Sequence, residues 1–371
     1  MEPIQVFTVE NEKDMEIFLS LPWKIYQNDP HWVPPLISDQ KKLLSAKENP
    51  FFEHAKAKLF LARKEGEIVG RLAACLDRNY IEFHQEKQGT FGFFECIDDQ
   101  SVANLLFESA KNWLKEKGMT VMRGPLNLST NDECALLVNG FEMDPMVMMP
   151  YNPRYYLRLY EQADLRKAKD LYAYYFDGTT FDSPRLAKIS VRLDTKGINI
   201  RPVNLRDFRR EVALFKEVYN QAWSKNWGFV PMTDSEIDYM AKSLKQLVEP
   251  ALVYFAFDRE KPVGVIMSVP DYNFVLKKID GKLNLSGMIK FLYYRRKIKG
   301  IRVLIMGVIH SYQKRGIEAA MILNLFKNGK AKGYEYAELS WILEDNVLMN
   351  RLAEMIGGKK YKTYRIYEMA I

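Results

Sequence analysis

Val-Leu-Ile-Met-Gly-Val-Ile-His-Ser-Tyr-Gln-Lys-Arg-Gly-Ile-Glu-Ala-Ala, residues 303–320, carries an apolar strand through a polar, basic turn into the start of a helix. At such a junction the first helical N–H groups have no intrahelical acceptor, and with the helix dipole they favour a phosphate or pyrophosphate. Lys314 and Arg315 add positive charge there. The pattern also fits an ordinary strand-to-helix crossover with a solvated basic turn, so its meaning depends on the rest of the chain.

At 371 residues the chain is longer than one typical core and predicts two domains of roughly 150 to 200 residues. A hydrophobic content of 47% supports globular folding, and 54 basic against 47 acidic residues leave a net charge of +7. That excess suits an anionic ligand but does not by itself argue for nucleic acid. Cys75, Cys96 and Cys134 match neither zinc-ligand spacing nor a disulfide framework, so no metal is expected and a reducing cytoplasm is the simplest compartment. The opening Met-Glu-Pro-Ile-Gln-Val is acidic rather than basic, and the apolar runs are of strand length. No membrane span is predicted, and the reading is of a soluble cytoplasmic protein.

The chain repeats itself. Tyr254 to Met267 reads as a strand, a charged turn and a second strand, and Phe60 to Ala73 reads the same way. Ala62, Val69, Gly70 and Asp77 stand 194 positions before Ala256, Val263, Gly264 and Asp271. Lys117-Gly118 matches Lys332-Gly333 at an offset of 215, and Leu159, Glu161, Lys167 and Tyr174 match Leu352, Glu354, Lys360 and Tyr367 at 193. The changing offset places a basic insertion at Lys277 to Lys299 in the second half and an apolar one around Asn131 to Met149 in the first. Each half reads helix, hairpin, strand, helix, strand, short helix, final strand, an α/β repeat. Gly178 to Ser190 breaks any regular pattern and is read as the boundary, near residue 190.

In that element order Gln313-Lys314-Arg315-Gly316-Ile317 resembles the pyrophosphate-binding turn, Q/R-x-x-G-x-G/A, of the GNAT superfamily of acyl-CoA N-acyltransferases. Glu338 to Asn346 is similar to that family's next strand and the Asn that begins its last helix, and Tyr364 to Glu368 to its terminal strand. With the repeat, the whole chain resembles tandem-GNAT proteins. The resemblance implies an α/β (α+β) fold of two tandem GNAT-like domains, each a mixed, mostly antiparallel sheet flanked by helices. Residues 1–190 would lack the pyrophosphate turn and residues 191–371 would carry it.

It also implies an acyl-CoA-dependent N-acyltransferase, with acetyl-CoA the first expectation for the co-substrate and a small-molecule or peptide amine as acceptor. Met306, Gly307 and Val308, on a strand that splays from its neighbour, would pair with the pantetheine amides. Backbone N–H groups of Gln313, Lys314, Arg315, Gly316 and Ile317 would hold the pyrophosphate, and Asn346 would reach the cofactor near its thiol. The chain departs from the pattern at Glu318, where the family has Gly or Ala, and at Ala353, where many members carry a Tyr that protonates the leaving thiolate. Tyr160 occupies the equivalent place in the first half, whose turn, Phe93 to Ser101, is acidic and lacks the Gly.

Other residues stay open between two readings. Trp223, Asn226, Trp227 and Phe229 form an acceptor pocket or pack as core aromatics. Asn127, Ser129, Asn131, Asp132 and Glu133 line a cleft or shape a turn. His310, at a strand end, is a base near neutral pH or a structural residue. Phe291 to Lys299 interleaves aromatics and cations, which suits RNA, a membrane surface, the cofactor's nucleotide phosphate or plain solvent. Two further functions therefore stand beside acyl-CoA chemistry: tRNA-dependent aminoacyl transfer of the Fem type, and a catalytically degenerate small-molecule-binding module.

Overall fold

The computed structural model describes residues 3–179, 183–194 and 197–371. In chain order the strands are β1 (Gln5–Thr8), β2 (Ala55–Lys64), β3 (Glu67–Asp77), β4 (Gln88–Cys96), β5 (Val121–Gly124), β6 (Leu136–Asn139), β7 (Arg166–Asp177), β8 (Ile198–Pro202), β9 (Val253–Asp258), β10 (Lys261–Pro270), β11 (Gly300–Val308), β12 (Tyr336–Leu343) and β13 (Lys359–Ala370). The α-helices are α1 (Glu12–Ile25), α2 (Ile37–Leu43), α3 (Arg78–His84), α4 (Gln100–Glu116), α5 (Tyr156–Glu161), α6 (Ser183–Asp194), α7 (Phe208–Trp223), α8 (Asp234–Leu244), α9 (Asn273–Ile279), α10 (Leu285–Tyr294), α11 (Ile317–Ala331) and α12 (Val347–Met355). They form two compact units. One comprises Met1–Leu171, Leu276–Phe291 and Lys362–Ile371; the other comprises Tyr172–Val275 and Leu292–Tyr361. Strands β7 and β13 and helix α10 are each divided between the units.

The first unit orders its strands β1-β2-β3-β4-β5-β13-β7. All neighbours whose register is given are antiparallel except β4 and β5, which run parallel. One core lies under α4 and α5 and contains Phe91, Phe94, Leu106, Phe107, Tyr160 and Tyr367; the other lies under α1 and contains Phe18, Leu61 and Phe93. Burying each such Leu or Phe stabilises the fold by about 1.5–3 kcal/mol.

The second unit orders its strands β7-β12-β11-β10-β9-β8. Here β11 and β12 are the parallel pair. Residues of α6, α11 and α12 share one core, and those of α7 and α8 share another with Phe255, Phe257 and Val265.

The repeated residues occupy equivalent places. Ala62 pairs with Gly70 across the β2–β3 hairpin, and Ala256 pairs with Gly264 across β9–β10. A β-carbon on Gly70 would stand 2.8 Å from Leu106 of α4, and one on Gly264 would stand 3.1 Å from Val308 and 3.3 Å from Met321 of α11. The missing side chain lets a helix lie close on each hairpin. At the end of each hairpin, Asp77 and Asp271 accept hydrogen bonds from the backbone N–H of Asn79 and Asn273, at 2.8 and 3.3 Å, starting α3 and α9.

The segment Gly178 to Ser190, read from sequence as irregular, holds α6 from Ser183 onward, while residues 180–182 lie outside the described ones. Leu186 and Leu193, seven residues apart on one helix face, are buried in the second unit's core, and that face rather than local propensity makes the helix.

Candidate functional site

In the second unit β11 and β12 pair only from Gly300 opposite Tyr336 to Val303 opposite Leu339. Beyond that point β11 continues to Val308 along β10 alone, with Leu304 bulged out of register between Val303 and Ile305. Among the described residues the edge of β11 turned away from β10 therefore has no strand partner through Met306, Gly307 and Val308, and can hydrogen-bond an amide-bearing ligand as a strand would. A buried network sits where the strands part. The Arg302 guanidinium lies 3.5 Å from the Glu338 carboxylate across the two strands and donates to Ser340 Oγ at 2.8 Å, while Tyr361 and Ser340 donate to Glu338. These side chains pin the strands up to the last shared pair.

After β11 the chain makes a tight turn through His310–Tyr312 and enters α11. Lys314 (φ 62°) and the helix-capping Gly316 (φ 91°) both adopt left-handed backbone, the second at no steric cost. The Gln313 side chain donates to the Val308 carbonyl at 3.1 Å, tying the turn to the strand. Arg315 is folded back, its guanidinium 4.6 Å above the Tyr312 ring and bonded to the Ser311 carbonyl. No side chain of the capping residue bonds the start of α11, so its first N–H groups face the turn. Glu318 is half-buried here; burial raises its carboxyl pKa, opposed by a hydrogen bond from its own backbone N–H. Its carboxylate therefore lies in the first turn of α11.

Trp223, the last residue of α7, lays its indole against β11: a β-carbon on Gly307 would fall 2.2 Å from that ring. The indole also stacks on Tyr219, with centroids 5.0 Å apart. Asn226 and Phe229 continue a hydrogen-bonded turn, Asn226 N–H donating to the Trp223 carbonyl and Phe229 N–H to the Asn226 carbonyl. Phe229 itself is buried beside Tyr219 in the α7 core, whereas Asn226 and Trp227 are half-exposed. The structure therefore lays Trp223 on the sheet face of β11 at Gly307 and packs Phe229 into the α7 core beside Tyr219. His310 is half-buried, and its Nε2 has no hydrogen-bond partner among the described residues. Asn346 is the N-cap of α12, accepting from Met349 N–H at 3.2 Å. Asn350, which the sequence reading passed over, donates to the Leu343 carbonyl at 3.0 Å and accepts from Tyr174. Its i+4 spacing from Asn346 was the available signal.

The first unit closes the same features. β4 and β5 pair from Gln88 opposite Val121 to Thr90 opposite Arg123 and then part, but Leu126 N–H donates to the Phe91 carbonyl and Asn127 Oδ1 accepts from Phe93 N–H, both at 2.7 Å. The chain fills its own gap. Asp99 caps α4 by accepting from Ser101 N–H, and its hydrogen bond with Lys64, joined by that with Ser101, lowers its pKa to about 2. That carboxylate caps the start of α4, where the helix dipole favours negative charge. Tyr160 is fully buried among Phe91, Phe94, Phe107 and Tyr367, and burial raises its pKa far above the usual phenol value. It is an aromatic core residue in a unit whose gap is filled. Among the described residues no cluster of His, Cys, Asp or Glu is arranged to hold a metal ion.

Over 99% of its length the chain is similar to a tandem GNAT protein from the clavulanic acid biosynthesis pathway, with a TM-score of 0.59 at 10% identity and 98% of that structure spanned. The fold is a tandem GNAT-like one. In sequence the chain is 37% identical, over 99% of its length and 98% of the relative's, to the bacterial ceramide synthase of Caulobacter vibrioides. It is 36% identical, over 99% of its length and 95% of the relative's, to protein YghO of Escherichia coli. The chain belongs to the family of these two proteins. No family model matches it.

Proposed function

We propose that this chain is an N-acyltransferase that passes an acyl group from acyl-CoA to the amine of a long-chain amino alcohol, giving an amide of the ceramide type. The observation that carries this reading is the contrast between the two parallel strand pairs. Beyond Val303 the β11 edge has no strand partner among the described residues and leads to a helix start capped by Gly316, where Glu318 accepts from its own backbone N–H; beyond Thr90 the β4 edge is bonded by Leu126 and Asn127 and its helix is capped by Asp99. The second half, from about residue 191, is accordingly the unit proposed to bind acyl-CoA. The likeness to a relative called a ceramide synthase is what supports, for this chain, a long acyl chain rather than acetyl and a long-chain amino alcohol as acceptor.

Bound acyl-CoA supplies a thioester carbonyl open to attack by an amine. The backbone of Met306, Gly307 and Val308 holds the pantetheine arm, and the N–H groups of Gln313 to Ile317 hold the pyrophosphate, with Gly316 permitting close approach. Trp223 walls the strand edge, excludes water from it and packs against the acyl-bearing end. Asn346 marks the end of the arm. His310, whose Nε2 makes no bond within the described chain, is the group proposed to take the proton that the attacking amine gives up.

Mixing the protein with palmitoyl-CoA or acetyl-CoA and a panel of long- and short-chain amines, and following thiol release together with amide mass, tests the reading. Amide formation with a long-chain amino alcohol is expected. CoA binding without turnover on any amine would instead make the chain a binding module, and no binding at millimolar acyl-CoA would overturn the proposal.

A further inference from the structure

Helix α10 (Leu285–Tyr294) is apolar on the side that faces solvent. Leu285 is 81% exposed, Ile289 63% and Leu292 52%, a row at spacings of four and three residues along one face. Met288 and Tyr293 flank that row and are also exposed. On the opposite face Gly287 is buried and Phe291 and Tyr294 are half-buried. Gly287 is buried so close to the Lys282 carbonyl that a β-carbon would fall 2.2 Å from it, and Ile298, just past the helix, is buried. Asn284 fixes the start, its side chain accepting from Gly287 N–H and Ser286 Oγ at 2.9 Å. The outward direction of the apolar row is therefore built in, and a contiguous row of that kind marks an interaction surface.

The charge carried by this stretch of sequence is of one sign. From Gly281 to Gly300 the sequence has Lys282, Lys290, Arg295, Arg296, Lys297 and Lys299 and no acidic residue. Lys299 pairs with Glu335 at 2.9 Å and Lys282 approaches Asp280 at 3.9 Å, whereas Lys290, Arg295 and Arg296 make no ion pair among the described residues. Lys297 lies over the Tyr293 ring at 4.1 Å and donates to its hydroxyl, an amphipathic pair suited to a polar–apolar boundary.

We infer that α10 docks the protein on the surface of an anionic phospholipid bilayer, the Leu285, Ile289 and Leu292 row entering the headgroup–acyl boundary and the surrounding cations meeting lipid phosphates. A ten-residue helix, about 15 Å long, lies along such a surface rather than across it. Among the described residues no helix is long and apolar enough to cross a membrane. Charge decides against a second copy of the chain, because a two-fold contact through this face would set its cations against the same cations. Chemistry decides against RNA, since aliphatic side chains at the centre of the face offer bases neither stacking platforms nor hydrogen bonds. This surface stands on α10 alone and does not depend on the acyl-transfer reading.

The test is sedimentation of the full chain with vesicles of phosphatidylcholine alone or with phosphatidylglycerol, comparing wild type with Ile289→Asp/Leu292→Asp and with Arg295→Glu/Arg296→Glu. Wild type is expected to bind the anionic vesicles at least about tenfold more tightly than the neutral ones, with binding weakened by salt. Each variant should lose at least about tenfold while its circular dichroism and its turnover of a short-chain, water-soluble amine stay at the wild-type level. Equal vesicle binding by wild type and the aspartate variant overturns the proposal. So does tight binding of a single-stranded RNA that the variants lose instead, or a dimer in light scattering that the aspartate variant dissolves. Vesicle binding without amide formation leaves this surface standing and removes only the acyl-transfer reading.

Discussion

The indole of Trp223 occupies the space a β-carbon would need on Gly307, 2.2 Å from where that carbon would lie. Helix α7 and the face of β11 are thereby locked together through one ring and one missing side chain. Gly307→Ala must push Trp223 away from β11, and overpacking of this kind costs about 1–3 kcal/mol. Acyl-CoA affinity should fall at least tenfold (about 1.4 kcal/mol) with the tryptophan fluorescence altered. Trp223→Leu should restore much of the stability of Gly307→Ala in a double-mutant cycle, because the two changes share one contact. Additive effects in calorimetry would show that the contact does not govern the strand edge.

Glu318 places a carboxylate among the first N–H groups of α11. Replacing it with Gln should tighten CoA binding by about two- to fivefold near neutral pH, the range expected for one charge at a helix end. The pH dependence has a fixed sign. Because burial raises the folded carboxyl pKa, the unfolded chain loses this proton at lower pH than the folded one, so stability falls as pH rises from the ordinary carboxylate range through the raised value. Glu318→Gln should therefore be the more stable protein at pH 7, with the difference vanishing below about pH 4. A wild type that binds CoA with the same pH profile as the variant would place this carboxylate outside the cradle.

The Arg302–Glu338 pair is almost wholly removed from water, with Glu338 at 0% exposure. Glu338→Ala takes away the carboxylate that Arg302, Ser340 and Tyr361 share and should cost about 3–5 kcal/mol in urea unfolding. Tyr361→Phe, which removes one hydrogen bond, should cost about 1 kcal/mol. Comparable losses in the two variants would mean that the ion pair contributes little to holding β11 against β12.

The paired hairpin glycines offer a test of equivalence between the units. Gly70→Ala and Gly264→Ala should each lower the melting temperature, Gly70→Ala the more, since its new carbon would meet Leu106 at 2.8 Å against 3.1 Å to Val308. Leu106→Val should relieve Gly70→Ala and leave Gly264→Ala unchanged.

The hairpin repeat was readable because spacing constrains it: Ala62 with Gly70 and Ala256 with Gly264 are local pairs whose geometry any eight-residue offset reveals. The turn was readable for a similar reason, Gly316 being required by a left-handed backbone. Helix α6 was not, because Ser183 and Pro184 read as a loop and only the contact of Leu186 and Leu193 with the core shows the helical face. The place of Tyr160 was also hidden, since an offset match gives a position in a fold but not the aromatic shell around it. The gap filled by Leu126 and Asn127 depends on one backbone bond and one bond to the Asn127 side chain, the latter spanning 34 residues, and local sequence pattern is blind to pairings of that range. For the same reason nothing in Lys359 to Ala370 announces that most of this strand serves the first unit.

That division of β13 sets an order of events during synthesis. Tyr367 to Ala370 lie opposite Gly124 to Val121, so the β5 edge stays bare on a growing chain until residues 362–371 have left the ribosome. An exposed strand edge held open for that long invites pairing with other chains, and a nascent protein built this way has reason to depend on chaperones that shield it.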